Sequence, residues 1–170
     1  MVWLLLLLLA FAQALPAAPP AAQAQFRAVW VDGFHAGIRT PAEVDQLVAD
    51  AKAANLNALI VQVRRRADSY YAKSLEPPVQ DPPYSPDFDG LAYLLEKAHA
   101  AGLEVHAWMN AMPVWRKDSE PPKDARHVFN THGPSASGRD LWLTRSPQGE
   151  MVFPVGYFLD PGHPDAAAHI

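Results

Sequence analysis

Three segments of this sequence place apolar side chains on one face and large or polar ones on the other. The alternation is clearest in residues 103–110, because every second residue there is apolar. The apolar face holds Val105, Ala107 and Met109, and the mixed face holds His106, Trp108 and Asn110. A strand of this kind is expected to lie under helices on its apolar face and to turn its other face to a working interior.

Residues 26–32 and 57–64 repeat this alternation. Their mixed faces carry Trp30 with Asp32 in the first segment and Gln62 with Arg64 in the second. Helical patterns separate the segments. One begins at Thr40, with proline next and Glu43 three residues on, and runs to about residue 54. Another covers about residues 88–101 and ends at Gly102. Alternating strands and helices predict a parallel sheet with right-handed crossovers.

The mixed faces favour a closed barrel over an open sheet. An open doubly wound sheet has helices on both faces, so both faces should be aliphatic. In a (β/α)₈ barrel one face lines the lumen, and functional residues gather at the C-terminal mouth. Asp32, Arg64 and Asn110 each end a strand, and the long connections 65–87 and 111–162 leave the same ends. The expected fold class is α/β, the N-terminal part of a (β/α)₈ TIM barrel.

The number of strands is too small for a whole barrel. A complete one takes about 250 residues and eight strands, whereas this 170-residue sequence has three such segments and a third helical pattern after residues 159–164. We expect residues 25–170 to be an incomplete domain, truncated after about three βα units. By itself it is expected to fold poorly and to be inactive, since its sheet edge and inner face are uncovered. A small hairpin is predicted within the last loop, pairing residues 141–144 with 151–153.

Residues 1–24 have a different composition from the rest. Residues 2–11 are apolar, no charged side chain precedes Arg27, and Ala22-Gln23-Ala24 offers small residues for cleavage. An apolar run of about ten residues is too short to span a bilayer and is typical of a signal peptide. An uncleaved anchor is the alternative. We expect export to the periplasm, cell envelope or medium, with no stable membrane insertion after cleavage. A net charge of −4 argues against a nucleic-acid partner.

Seven strand and loop residues are candidate ligand contacts. Asp32 either contacts ligand or has a structural role, in which it pairs with Arg64 or caps nearby loop amides. Arg64 is expected to fork onto a carboxylate of substrate or of the protein, while Arg65 points to solvent. Asn110 can donate hydrogen bonds to sugar hydroxyls and accept them, and capping of a loop is its structural alternative. Further candidates are Asp160 as a mouth carboxylate, Trp108 as barrel filler or subsite floor, and Tyr70 and Tyr71 as stacking platforms.

Other chemistry has little support in the sequence. His106 is expected to be a hydrogen-bonded core histidine because it lies in mid-strand. The histidines form neither a His-x-His pair nor a His-Glu-x-x-His helix, so no metal or other cofactor is expected. A glycine-rich phosphate loop and a Gly-x-Ser-x-Gly elbow are also missing.

Four motifs in order resemble the glycosyl-hydrolase-like 10 family, formerly the DUF187 domain. They are Arg-Ala-Val-Trp at 27–30, Val-Gln-Val-Arg at 61–64, Val-His-Ala-Trp-Met-Asn at 105–110 and Leu-Asp-Pro-Gly-His-Pro at 159–164. The resemblance covers about residues 26–170. It implies an exported bacterial TIM-barrel protein whose partner is a glycan, and at least one family member cuts peptidoglycan strands stripped of their peptides.

The resemblance implies a glycoside hydrolase acting on a cell-wall or related glycan. The family's acidic motif ends the fourth barrel strand, so catalytic carboxyl groups are expected beyond Ile170, and Asp32 and Asp160 are the weaker candidates here. Two rivals stay open. One is a non-catalytic glycan-binding protein on the same scaffold, and the other is a metal-dependent barrel hydrolase such as an amidase or deacetylase. Linkage, stereochemical outcome and oligomeric state are not fixed by the sequence.

Overall fold

The computed structural model describes residues 25–170 as a layered α/β unit followed by a loop-rich region with a second, small sheet. The signal-peptide prediction concerns residues 1–24 and lies outside this range. None of the helices between residues 25 and 170 is long and apolar enough to cross a membrane. In chain order the elements are β1 (Ala28–Val31), α1 (Pro41–Ala53), β2 (Ala58–Arg64), α2 (Gly90–Ala100), β3 (Glu104–Met109), β4 (Pro113–Trp115), α3 (Val128–His132), a 3₁₀ turn (Gly138–Asp140), β5 (Tyr157–Phe158) and α4 (Pro164–His169).

The first three strands form one parallel sheet in the order β1-β2-β3. Val31 lies beside Val61 on β2, and Val61 lies beside Ala107 on β3. The helices α1 and α2 connect consecutive strands, as parallel pairing requires. The predicted parallel α/β arrangement is confirmed over these three strands, each slightly shorter than its sequence segment.

The start of α1 follows from its capping residues. The Thr40 hydroxyl accepts a hydrogen bond from the Glu43 amide at 3.2 Å, and Pro41 is the first helical residue. The Glu43 carboxylate does not complete a capping box with Thr40. It accepts instead from the amides of Gly37 and Arg39, at 3.0 and 3.1 Å, and from the Arg39 guanidinium. Glu43 thereby ties the loop after β1 to the helix.

Aliphatic side chains of β1 and β2 and the inner stripes of α1 and α2 make one core, whereas on β3 the side chains of Ala107 and Met109 stay exposed. Burying such side chains contributes about 1.5–3 kcal/mol each, which is why this face fixes the strand register. Its fully or nearly fully buried members are Val31, Ile38, Val44, Ala51, Leu59, Val61, Tyr70, Val79, Tyr84, Leu94, Ala98 and Leu103.

The opposite face of the sheet is aromatic and open. Trp30 is 63% exposed, and its ring meets that of Trp108 edge-on, with centroids 5.1 Å apart. Phe26 packs on His106 in the same way at 5.2 Å. The His106 side chain is about half exposed and bonds Glu104 at 3.1 Å, so the prediction that His106 is a core histidine is wrong. The reason is that no element between residues 25 and 170 covers this face of β3.

The loop-rich region has a core of its own and does not contain the predicted hairpin. Residue 143 pairs with Leu159 rather than with residues 151–153, and Phe153 bridges to Gly156. The strand pair that forms is β4 with β5, which is antiparallel. Hydrophobic burial explains the choice, since this pairing brings Val114, Trp115, Val128, Leu143, Leu159 and Ala166 together.

Candidate functional site

The loop leaving β2 turns back at once and brings distant charges to the C-terminal edge of the sheet. Ala67 has φ +54°, a conformation that lets the chain reverse within a few residues. Arg64 then forms an antiparallel bridge with Ser69, and Ser69 pairs with Pro78. This fold-back places Glu76 next to Arg64, although twelve residues separate them in the chain.

Arg64 and Glu76 form a buried bidentate ion pair. The Arg64 Nε donates to Glu76 Oε2 at 2.7 Å, and Nη2 donates to Oε1 at 2.6 Å. Their side chains are only 3% and 7% exposed. The Arg64 Nη1 donates to the carbonyl oxygens of Asn110 and Ala111, so the guanidinium also fixes the exit of β3. Of the two partners predicted for Arg64, the one present is a protein carboxylate.

Glu76 is held as a carboxylate. Burial acts to raise its pKa, but hydrogen bonds from His169 and Arg64 outweigh burial and lower the pKa from its ordinary value. His169 lies in α4, and its Nε2 is 3.2 Å from Glu76 Oε1. Glu76 therefore connects the edge of the sheet with the last helix.

Two adjoining clefts meet at Glu76, and we call them together the Glu76 groove. Their volumes are about 180 Å³ and 100 Å³. The larger is lined by loop residues that include Tyr84 and Arg126, and the smaller by Arg64, Met109 and His169. Both share Tyr71, Ser74 and Glu76. An aromatic ring, a hydroxyl and a carboxylate therefore line the same small groove.

A second charged group lies beside the first, and we call it the arginine cluster: Arg65, Arg66, Arg116, Asp68 and Asp81. Arg65 is 2% exposed, so the prediction that it points to solvent is wrong. Simple strand alternation fails at Arg65 because the chain leaves the sheet there. The Arg65 guanidinium pairs with Asp68 at 2.9 Å and with Asp81 at 3.0 Å.

Asp32 caps its own loop. Its Oδ1 accepts from the amides of Phe34 and His35, at 2.7 and 3.0 Å, and its carboxylate contacts the His35 ring at 2.9 Å. Burial acts to raise the pKa of Asp32, but these bonds from His35 and Phe34 lower it overall. Capping of loop amides is thus the predicted alternative that the structure shows. The side chain is still about one-third exposed, and ligand contact stays a prediction.

Tyr70 belongs to the core. Its ring is fully buried, and its hydroxyl donates to the Gly33 carbonyl at 2.5 Å, joining the loops after β1 and β2. Burial raises the pKa of Tyr70 to about 12. The prediction that Tyr70 stacks on a ligand is wrong, because no ring face is accessible. The contact also closes position 33 to larger residues, since a Cβ there would lie 2.7 Å from the Tyr70 ring.

The other predicted contacts are distributed along the same edge. Tyr71 lines the Glu76 groove, whereas Trp108 lies on the open aromatic face. Asn110 and Asp160 are partly buried; the Asp160 Oδ1 accepts from the Gly162 amide at 2.8 Å, forming a turn. Their roles in binding stay predictions. Glu76 was missed because Leu75-Glu76-Pro77 has no local feature that distinguishes it from any loop acid.

These carboxylates can bind hydroxyl groups or stabilise positive charge. Asp32 and Glu76 have lowered pKa values, whereas a general acid needs a raised one. In the range 25–170, no three histidine, aspartate or glutamate side chains lie together in a way that could hold a metal ion.

Comparison with known proteins gives one partial similarity and no family assignment. No family model matches the chain. Over 74 residues it is 35% identical to the protein named Glycosyl hydrolase YngK from Bacillus subtilis (strain 168). The match takes in 40% of this chain and 14% of that relative, so the chain corresponds to a small part of the relative's length. The chain is therefore glycoside-hydrolase-like in sequence over this stretch.

Proposed function

We propose that this chain is part of a glycoside hydrolase that acts on a bacterial cell-wall glycan or a related glycan. The parallel sheet is the N-terminal part of a (β/α)₈ barrel in this proposal. The observation that carries it is the two-faced sheet. Along β1 and β2 one face is covered by α1 and α2, and the other face carries Trp30, which is 63% exposed, and Trp108, while Arg64 at the end of β2 lines the Glu76 groove.

The chemistry of the groove supports a sugar ligand. Tyr71 offers an aromatic ring, and Ser74 and Glu76 offer hydrogen-bonding groups, which together match the apolar faces and hydroxyl rims of pyranose rings. Asn110, at the end of β3, can both donate and accept hydrogen bonds. The partial similarity to a protein named as a glycosyl hydrolase points to the same ligand class. The cell-wall glycan is proposed from the four-motif resemblance.

Glycoside cleavage uses two carboxyl groups, one of which must donate a proton. Neither role is assigned to Glu76, because its charge is already balanced by the buried bidentate pair with Arg64. Both carboxyl groups in this proposal lie on barrel strands other than β1–β3, and Glu76 fixes the shape of the groove. Because a cell-wall glycan lies outside the cytoplasm, the proposal includes export of the protein.

The test is an assay of the full-length protein on peptide-free peptidoglycan strands. Release of new reducing ends is the expected result. Glu76→Gln should slow it at least ten-fold, because Arg64 loses its counterion and the groove loses its fixed shape. Arg27→Gln, at the opposite end of the sheet, is the matched control and should leave the rate unchanged. Activity that is the same in the Glu76→Gln variant would show that the Glu76 groove is not part of the site.

The competing proposal is a non-catalytic glycan-binding protein. It is favoured by one observation: three of the hydrogen-bonding positions of the Glu76 carboxylate are already taken by Arg64 and His169. The same assay separates the two proposals. Strand binding without new reducing ends in the full-length protein would establish the binding protein and end the enzyme proposal.

A further inference from the structure

The arginine cluster has more positive than negative charge. Three guanidinium groups face two carboxylates, and Asp68 is already used by Arg65. Asp81 is the carboxylate that all three arginines share. Its Oδ2 is 3.0 Å from Arg65 and 2.9 Å from Arg66, while its Oδ1 is 3.9 Å from Arg116. The cluster therefore keeps a net charge of about +1, on the count of three cations against two anions.

Not all hydrogen-bond donors of the arginine cluster have a partner. The Nε of Arg66 is buried and has no hydrogen-bond partner among residues 25–170. Such a donor carries an energetic cost of about 1–3 kcal/mol until it is paired. Arg116 has only the loose 3.9 Å contact with Asp81, and its side chain is 47% exposed. The cluster thus offers one accessible guanidinium fork, that of Arg116, beside two buried, unpaired donors, the Nε atoms of Arg65 and Arg66.

Aromatic rings hold these guanidinium groups in place. The Arg66 guanidinium lies 5.5 Å from the Phe34 ring and 5.3 Å from the Trp115 ring. The Trp115 ring also contacts Arg116 at 5.4 Å and is fixed by its Nε1 bond to the Glu120 carbonyl. A guanidinium group held against aromatic rings loses less conformational entropy on binding an anion.

The direction of the pKa shift of Arg66 agrees with a cluster that has too few counterions. Its pKa is lowered by burial and by the positive charges of Arg65 and Arg116, despite Asp68 and Asp81. An additional anion would relieve this repulsion. Asp81 already shows the kind of group that fits, because one carboxylate bridges several of the guanidinium groups.

We propose that the arginine cluster binds a carboxylate of the glycan ligand, with Arg116 as the main donor and Arg66 in support. This inference rests on the proposed function and narrows it to acidic glycans. The location agrees with that function, since Phe34 follows β1 and Arg66 follows β2 at the C-terminal ends of the parallel strands, and Asp81 lies in the same loop as Glu76, between β2 and α2. A planar carboxylate matches the two parallel N–H groups of an arginine fork.

The experiment compares two probes of nearly the same shape that differ at one group, a charged carboxylate in one and a neutral amide in the other. Peptide-free peptidoglycan oligosaccharides are used with their lactyl carboxylates intact or converted to neutral amides. Binding to the full-length protein is measured by titration calorimetry. Amidation should weaken binding roughly ten-fold, the value of one charge-assisted hydrogen bond. The difference should shrink as salt is raised, because the site is partly exposed.

Variants assign the effect to the cluster. Arg116→Gln should bind both probes equally, whereas Arg27→Gln removes the same charge at the far end of the sheet and should keep the preference. Asp81→Asn should change the result in the opposite direction, tightening binding of the acidic probe because a competing carboxylate is gone. Arg116→Lys should recover part of the preference, since lysine keeps the charge but not the fork.

Three results would overturn the inference. Equal affinity of the wild-type protein for both probes would leave the glycosidase proposal intact and remove the carboxylate site. A preference that persists in Arg116→Gln would place the anion contact elsewhere. Failure of both probes to bind or to be cleaved would reject the acidic-glycan inference together with the proposed function.

Discussion

Two arginine–carboxylate groups lie side by side after β2, and they differ in how completely they are paired. The Arg64–Glu76 pair is buried and bidentate, and its charges balance. The arginine cluster is built around the next two residues, yet it has a surplus cation, an unpaired Arg66 Nε and an exposed Arg116. The first arrangement stabilises the strand ends, and the second is open to an anion.

The difference shows that sequence adjacency does not determine the role of a charge. Arg64 still belongs to β2 and points towards the exit of β3, so backbone carbonyls complete its hydrogen bonds. Arg65 and Arg66 lie in the reversal that follows, where two loop acids and three aromatic rings surround them. The charge of Arg64, which lies in the sheet, is therefore fully paired, whereas the arginine cluster in and around the reversal is incompletely paired.

The largest effect is expected from Glu76→Gln. Removing the charge leaves Arg64 buried without a counterion, which should cost about 3–5 kcal/mol of unfolding free energy. Urea denaturation of the full-length protein measures the loss. A cost below about 1 kcal/mol would mean that the pair is hydrated in solution and would remove the contrast with the arginine cluster.

Acid should then diminish the difference between wild type and Glu76→Gln. The pKa of Glu76 is lowered in the fold from its ordinary 4.5, so its stabilisation is full above that pH and is lost as pH falls through the folded value. Urea midpoints measured between pH 7 and pH 3 should converge for the two proteins below about pH 4.5. Parallel curves down to pH 3 would show that the carboxylate gains nothing from Arg64.

Asp81→Asn should have a smaller effect on stability. Asp81 is 36% exposed, and Arg65 retains Asp68, so we expect a loss of about 1 kcal/mol that decreases in high salt. Denaturation at low and high ionic strength measures it. A loss as large as that of Glu76→Gln would show that both groups are structural, and would make the cluster a weaker candidate for binding.

The smallest effect is expected from Arg116→Gln. Its guanidinium has only a 3.9 Å contact with Asp81 and a ring contact with Trp115, so stability should change by no more than about 0.5 kcal/mol. Thermal denaturation checks this. A clear destabilisation would indicate that Arg116 is needed by the fold rather than available to a ligand.

The sequence predicted the elements whose signals are local. Alternation located β1, β2 and β3, and the Thr40–Pro41 start of α1 is confirmed by the cap geometry. The hairpin was wrong because pairing was judged from turn residues alone, whereas Leu143 gains more burial against Leu159. His106 was wrong because burial of a strand face depends on what covers it, which alternation does not reveal.

The sequence could predict where the candidate site lies, but not all of the residues that form it. Arg64 and Asn110 end their strands, and parallel strand ends meet at one edge, so the edge itself follows from the sequence. Glu76 and Asp81 reach that edge through the reversal at Ala67, and no local pattern records such a long-range contact. Tyr70 and Arg65 are buried by the same reversal.

The contact between Tyr70 and Gly33 restricts the order in which this protein can change. A Cβ at position 33 would lie too close to the Tyr70 ring, so Gly33→Ala should destabilise the fold as long as Tyr70 is present. A smaller residue at position 70 would open that space, at the cost of the hydroxyl that holds the Gly33 carbonyl. If both positions change during evolution, we therefore expect Tyr70 to be replaced first. A residue larger than glycine is expected at position 33 only in proteins that have lost the tyrosine.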